Sequence, residues 1–238
     1  MAKYKIAIAG EGGQGVQAIA DILAEAAHDE GKNAIYIPNF GVEQRGGVSI
    51  AFVQVCDEEI GSPKFQKADI LIPLSPRAIA RTAMYASEDT TYIYDNSLIQ
   101  PSEVGDSIVG LQYFDVTPPC PTSQTPNNDA SKDLSAGEVK ACCSHTKKGT
   151  PIDPSKLPKV KRVISIPAND IAKNEFHPRV FNIMVLGAVI AATEVVSLEK
   201  IKHALEHKLA DKFEANSKLR EMNFNALERG YQLIKKAM

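Results

Sequence analysis

The 238-residue chain lacks a dominant charge: 27 Lys and Arg stand against 29 Asp and Glu, a formal net charge of −2. So balanced a surface gives no electrostatic case for nucleic acid or for an anionic membrane, and neither is expected as a partner. Cysteine is scarce, with Cys56, Cys120, Cys142 and Cys143 alone. In a chain of this length they do not make a secreted disulfide framework, so a reducing cytoplasm is the expected compartment. The opening stretch MAKYKIAIAG has no long apolar core followed by a small-residue cleavage site, and it reads as a strand rather than an export signal. No apolar run is long enough for a bilayer. The most lipid-like, VFNIMVLGAVIAA from Val180 to Ala192, is interrupted by Asn182 and Gly187 and fits a buried core helix, so no membrane span is expected.

What is present is ordinary for a globular protein: 44% apolar and 24% charged residues. Lys3 to Ala9 reads as a buried strand. Val16, Ile19, Ala20, Leu23 and Ala27 recur at helical spacing, with Gly31 placed to end that helix. Further strands are expected at Ala34–Ile37 (stopped by Pro38), Val48–Val55, Asp69–Leu74, Thr90–Tyr94, Ile108–Phe114 and Arg162–Ile166. Pro76 suits the first turn of a helix after the fourth strand. Helices are expected at Arg179–Val196, at Leu198–Ala210 with Ser197 as N-cap, and at Asn216–Lys236. Alternating strands and helices predict an α/β fold: one Rossmann-like domain over residues 1–238, its mostly parallel sheet flanked by helices on both faces. The texture changes over residues 115–160, which hold no Phe, Tyr or Trp but carry Pro118, Pro119, Pro121, Pro126, Pro151, Pro154 and Pro158. Such a segment buries little and reads as a long irregular insertion.

The first chemical motif is GEGGQGVQ, residues 10–17. Gly10, Gly12 and Gly15 satisfy G-x-G-x-x-G between a strand and a helix. Such a loop turns tightly, admits a ligand to the backbone, and aims free N–H groups and a helix dipole at an anion. A purely structural tight turn is the other reading. A nicotinamide dinucleotide would want an acidic residue at the end of the second strand for the ribose hydroxyls. AIYIPNF, residues 34–40, offers neither an acid nor an arginine for a 2′-phosphate. Gly13-Gln14 also departs from typical dinucleotide loops, and the Gln14 amide is either a contact to a ligand or neighbouring chain or a solvated first-turn group. The second motif is FGVEQRGGVS, residues 40–49, in which Gly41 and the Gly46-Gly47 pair bracket Glu43 and Arg45. The Arg45 guanidinium suits phosphate or carboxylate. A Glu43–Arg45 pair merely decorating a loop is the alternative. Both loops are expected at the carboxyl ends of neighbouring strands, the edge where open α/β sheets bind ligands.

The two glycine motifs, in this order, resemble those of the gamma subunit of the 2-oxoacid:ferredoxin oxidoreductases, an internal domain in fused members of that family. The likeness extends through Ala68-Asp69-Ile70-Leu71-Ile72, Tyr94-Asp95-Asn96-Ser97, Ile166-Pro167-Ala168, Asn182, Leu186-Gly187-Ala188, Asn223, Ala226 and Gly230, covering roughly residues 3–114 and 160–236. The resemblance implies a multi-subunit enzyme that oxidatively decarboxylates a 2-oxo acid with coenzyme A, yielding acyl-CoA, carbon dioxide and reduced ferredoxin or a similar carrier. Thiamine diphosphate, magnesium and iron–sulfur clusters would sit in alpha, beta and ferredoxin-like delta partner subunits, with none bound by this chain alone. The sequence agrees in having no clustered CxxC spacing. Gly10, Gly12, Gly13, Gln14, Gly15, Gly41, Glu43, Arg45, Gly46 and Gly47 are the implied ligand-side residues, meeting coenzyme A at a shared site. No catalytic residue is identified.

The insertion departs from the family pattern. Its Cys120, Cys142, Cys143 and His145 are poorly spaced for one ion, so free thiols are expected and no metal site. Its basic residues Lys147, Lys148 and Lys156 to Arg162 are either a solvated face or a dock for an acidic electron carrier. His203 and His207, four apart, read as helix surface. Two rival readings stay open: a self-sufficient nucleotide-dependent oxidoreductase, and a non-catalytic anion sensor or scaffold.

Overall fold

The computed structural model describes residues 3–40, 47–116 and 154–237. Among these described residues, seven strands form one sheet: β1 (Lys3–Glu11), β2 (Asn33–Asn39), β3 (Val48–Cys56), β4 (Ile70–Pro73), β5 (Thr91–Asp95), β6 (Val109–Asp115) and β7 (Lys159–Ile166). The described α-helices are α1 (Val16–Asp29), α2 (Pro76–Thr82), α3 (Pro101–Gly105), α4 (Ala168–Glu175), α5 (Phe181–Thr193), α6 (Leu198–Lys208), α7 (Ala210–Ala215) and α8 (Ser217–Ala237). The expected strands and the three C-terminal helical stretches are all present. Arg179–Val196 opens with a 3₁₀ turn and its α-helix ends at Thr193, where Glu194 turns left-handed at φ 52°. The stretch after Ser197 breaks into α6 and α7.

The strand order is β2-β3-β1-β4-β5-β7-β6. Every pairing from β1 to β6 is parallel, whereas β3 runs antiparallel to both β1 and β2. This corrects the expected neighbourhood of the two glycine motifs: β1 and β2 do not touch, because β3 lies between them. Pro38 does not stop β2 but pairs opposite Ala51. An edge strand tolerates a residue without an N–H, and β2 is one. At the ends of the expected insertion Asp115 closes β6, Pro154–Lys156 form a 3₁₀ turn and Lys159–Val160 open β7. Residues 117–153 lie outside the described residues, with Cys120, Cys142, Cys143 and His145.

The two faces of the sheet are covered unequally. Alternate residues along β1 divide them: Ile6 and Ile8 join the large core under α1, α4, α5, α6 and α8, while Ala7 and Ala9 face smaller clusters under α2 and α3. As its uninterrupted apolarity predicts, α5 is buried between the sheet and α8. Where α5 crosses α8, a Cβ at Gly187 would stand 2.1 Å from the Leu227 carbonyl oxygen and one at Gly230 2.0 Å from that of Met184. Only glycine permits that approach of backbone to backbone.

Candidate functional site

β1 is the strand at which the chain changes direction across the sheet. From its end the chain passes through α1 on the large-core face to reach β2. From the end of its parallel neighbour β4 it passes through α2 on the other face to reach β5. The crevice outside the carboxyl ends of β1 and β4 is therefore a topological switch point, the place where open α/β sheets take ligands. The first glycine motif fills it.

The loop is shaped by backbone conformation and by one side chain. Gly13 and Gly15 have φ of 95° and 74°, in the left-handed region, and Gly15 is the N-cap of α1. The Gln14 amide is consumed at both ends: its Oε1 accepts from the Glu11 N–H at 2.7 Å, and its Nε2 donates to the Leu74 carbonyl at 2.7 Å. It thus bridges the two strands of the switch point, and it does so over Gly10, where a Cβ would come within 2.5 Å of Gln14 Oε1. The backbone N–H groups of Gly12, Gly13 and Gly15 donate to no other described residue. They are the donors left over for an anion at the positive end of α1.

Gln17, one turn on, was not singled out in the sequence, although it closes the quoted motif. Its Oε1 accepts from the Tyr36 hydroxyl at 2.6 Å and its Nε2 reaches the Ile50 carbonyl at 3.5 Å, fixing the start of α1 to β2 and β3.

Of the second motif, Gly41, Glu43, Arg45 and Gly46 lie outside the described residues. Its flanks are clear. β2 leaves at Asn39 and Phe40, the latter 69% exposed. Half-buried Gly47 leads into β3, where Val48 pairs with Glu11 and Ser49 with Gly10, and the Ser49 hydroxyl donates to the Gly10 carbonyl at 3.4 Å. The two motifs therefore meet through β3 rather than β2. The same order removes the ribose argument drawn from AIYIPNF, because that strand does not flank β1.

A second polar corner lies at the carboxyl ends of β5 and β7. Asp95 is fully buried and accepts from the Ser97 N–H at 2.8 Å, the Ser97 hydroxyl and the Asn169 N–H at 2.8 Å. Burial pushes its carboxyl above the usual range and the Asp170 carboxylate adds to this, while the Ser97 and Asn169 donors pull the other way. Beside it, the Ser165 hydroxyl donates to Asp115 at 2.9 Å. Carboxylates dominate this corner, which makes it unsuitable for an anion.

Metal-ligating chemistry is sparse. Among the described residues no group of three or more His, Cys, Asp or Glu side chains could hold an ion. The described cysteine, Cys56, is buried at the end of β3. These residues do not fit an iron–sulfur cluster, which wants several thiolates. His203 and His207 lie on the surface of α6, paired with Asp29 at 2.9 Å and Glu25 at 2.5 Å on α1. No helix among the described residues is long and apolar enough to cross a membrane.

Fold and loop together define an open α/β chain with a glycine-built loop at its switch point. Residues 5–233 match the model of the pyruvate ferredoxin/flavodoxin oxidoreductase family, and the chain belongs to that family as a gamma-type subunit. It is 30% identical over 233 residues to the gamma subunit of the NADH-dependent phenylglyoxylate dehydrogenase of Aromatoleum evansii, covering 96% of this chain and 92% of that one. A stretch of 97 residues is 42% identical to 2-oxoglutarate synthase subunit KorC of Archaeoglobus fulgidus, covering 41% of this chain and about half, 52%, of that subunit's length. In three dimensions the whole chain superposes on 32% of a chain of the Magnetococcus marinus 2-oxoglutarate:ferredoxin oxidoreductase solved with 2-oxoglutarate, coenzyme A and succinyl-CoA bound, with a TM-score of 0.68 at 19% identity. That likeness is one of fold.

Proposed function

We propose that this chain is the gamma subunit of a cytoplasmic, multi-subunit 2-oxoacid:acceptor oxidoreductase, inert alone, in which it helps bind coenzyme A. The reaction is R–CO–COO⁻ + CoA–SH → R–CO–S–CoA + CO₂ + H⁺ + 2e⁻, the electrons passing to ferredoxin or a similar carrier. Thiamine diphosphate with magnesium and the iron–sulfur clusters belong to the alpha, beta and delta partners; they supply the electron sink and the electron wire. This chain's part is binding. The observation that carries the reading is the juxtaposition, through β3, of the Gly10–Gly15 loop with the outlet of the Arg45 motif. Coenzyme A carries a pyrophosphate and a ribose phosphate. The N–H groups of Gly12 and Gly13, which have no partner among the described residues, favour one such group at the α1 N-terminus, and Arg45 supplies a bidentate charge for it. Gln14 holds the loop in that shape.

The test is anaerobic purification of the native complex through a tag on this chain. Co-purifying chains, a brown iron–sulfur spectrum and coenzyme A-dependent dye reduction with one 2-oxo acid would establish the reading and identify the acid. In that complex Arg45→Ala should raise the KM for coenzyme A about tenfold or more. A colourless chain that elutes alone and binds a phosphorylated ligand without partners would replace the reading with that of an anion sensor.

A further inference from the structure

From Phe181 to Ala191, α5 is apolar and buried with one exception. Of Phe181–Ala191, Asn182 is the one residue not buried and the one with a polar side chain. A polar group at the mouth of a core helix needs a partner or a purpose. Its Oδ1 has a partner, the N–H of Ile183 at 2.9 Å. That bond fixes the orientation of the amide and leaves Nδ2 pointing away. Nδ2 donates to no described residue and lies against the glycine loop: a Cβ at Gly15 would stand 2.3 Å from it. The amino-terminal ends of two long helices, α1 and α5, thus meet at the Gly15–Asn182 contact, with Gly12, Gly13 and Gly15 offering unspent N–H groups on one side and Asn182 an unspent NH₂ on the other. Gln14 cannot play that part, since both ends of its amide are engaged by the backbone.

We propose that Asn182, rather than Gln14, is the side-chain amide that meets the bound anion at the switch point, donating through Nδ2 to a phosphate-type oxyanion held by the glycine loop. The inference rests on the coenzyme A reading and adds a specificity-determining residue to it. It explains why the first turn of a core helix carries an asparagine, and why Gly15 leaves room for that side chain.

The test uses the intact complex and the dissociation constant for coenzyme A by calorimetry, with the thermal midpoint read alongside. Asn182→Ala removes the donor; Asn182→Asp keeps the shape and places a carboxylate against the anion. The expected result is about tenfold weaker binding for Asn182→Ala and a larger loss for Asn182→Asp, with the KM for the 2-oxo acid unmoved. A merely space-filling Asn182 would give the opposite order, the isosteric Asp binding as wild type and Ala worst, and that order would overturn the proposal. Gly13→Asp separates the two levels of the argument. If it weakens coenzyme A binding while both Asn182 variants bind as wild type, the inference falls and the coenzyme A reading stands. If Gly13→Asp also leaves binding unchanged, both fall.

Discussion

The carboxyl edge of the sheet has two corners built on one plan with opposite electrostatics. At β1 and β4 a side chain reaches across to the backbone, and it is the neutral amide of Gln14. At β5 and β7 another does so, and it is the buried carboxylate of Asp95. Both satisfy N–H groups where the chain turns from strand towards helix. The neutral brace leaves the positive end of α1 uncompensated and available. The charged brace fills the equivalent place itself, since Asp95 already accepts the Asn169 N–H in the first turn of α4. One corner is therefore able to receive an anion, and the other contains its own.

The largest break in this comparison is expected from Asp95→Ala. It orphans two backbone N–H groups and the Ser97 hydroxyl at a site with no exposure, and should cost about 3 kcal/mol in urea unfolding. A loss under about 1 kcal/mol would mean that the corner is held by something else. Next comes Gly15→Ala, at about 2 kcal/mol, because a left-handed φ of 74° and the Asn182 side chain both oppose a Cβ. Gly13→Ala shares the left-handed strain but has no atom within 4 Å of the added Cβ. It should cost about 1 kcal/mol, so the difference between the two isolates the Asn182 contact. Gln14→Ala should cost no more than this, about 1 kcal/mol, since the half-buried Glu11 N–H regains water while the carbonyl of fully buried Leu74 loses its side-chain donor. Its signature is faster hydrogen exchange at Glu11.

The smallest effect is one of pH. Asp95 has a folded pKa raised above its unfolded value. The stability that it contributes is then fully present below about pH 3.9, the unfolded value, and is lost as pH rises through the folded pKa. Unfolding of wild type and Asp95→Asn compared from pH 4 upward should show wild type losing its advantage as pH rises. An advantage that grew with pH would place the carboxyl below its normal value and reverse the assignment of burial as the dominant cause.

Much of this was legible in residue order. The periodicity of Val16, Ile19, Ala20 and Leu23 located α1. The apolar run from Val180 located α5 and its burial, and Pro76 marked the first turn of α2. Other features had no local signal. Nothing in Val48–Val55 says that the strand runs antiparallel between β1 and β2, because a strand buried on both faces has the same pattern in either direction. The partners of Gln14 are three and sixty residues away, so its amide could be named in the sequence but its use could not. Asn182 is visible in the sequence as an interruption of an apolar run and as part of a resemblance, neither of which assigns it a contact. Its contact with Gly15 joins residues that no spacing rule connects.

The sequence by itself determined the strands and helices, the glycine loop at a strand-to-helix turn and the family to which the chain belongs. These follow from local periodicity, from residues such as glycine and proline that restrict or free the backbone, and from motif order. Only the tertiary structure decided that β3 separates the two motif-bearing strands, that Gln14 is spent as a brace while Asn182 keeps a free donor, and that the two corners differ in charge. Those outcomes depend on which hydrogen-bonding groups remain unpaired after the sheet has assembled, and that is a property of contacts distant in the chain.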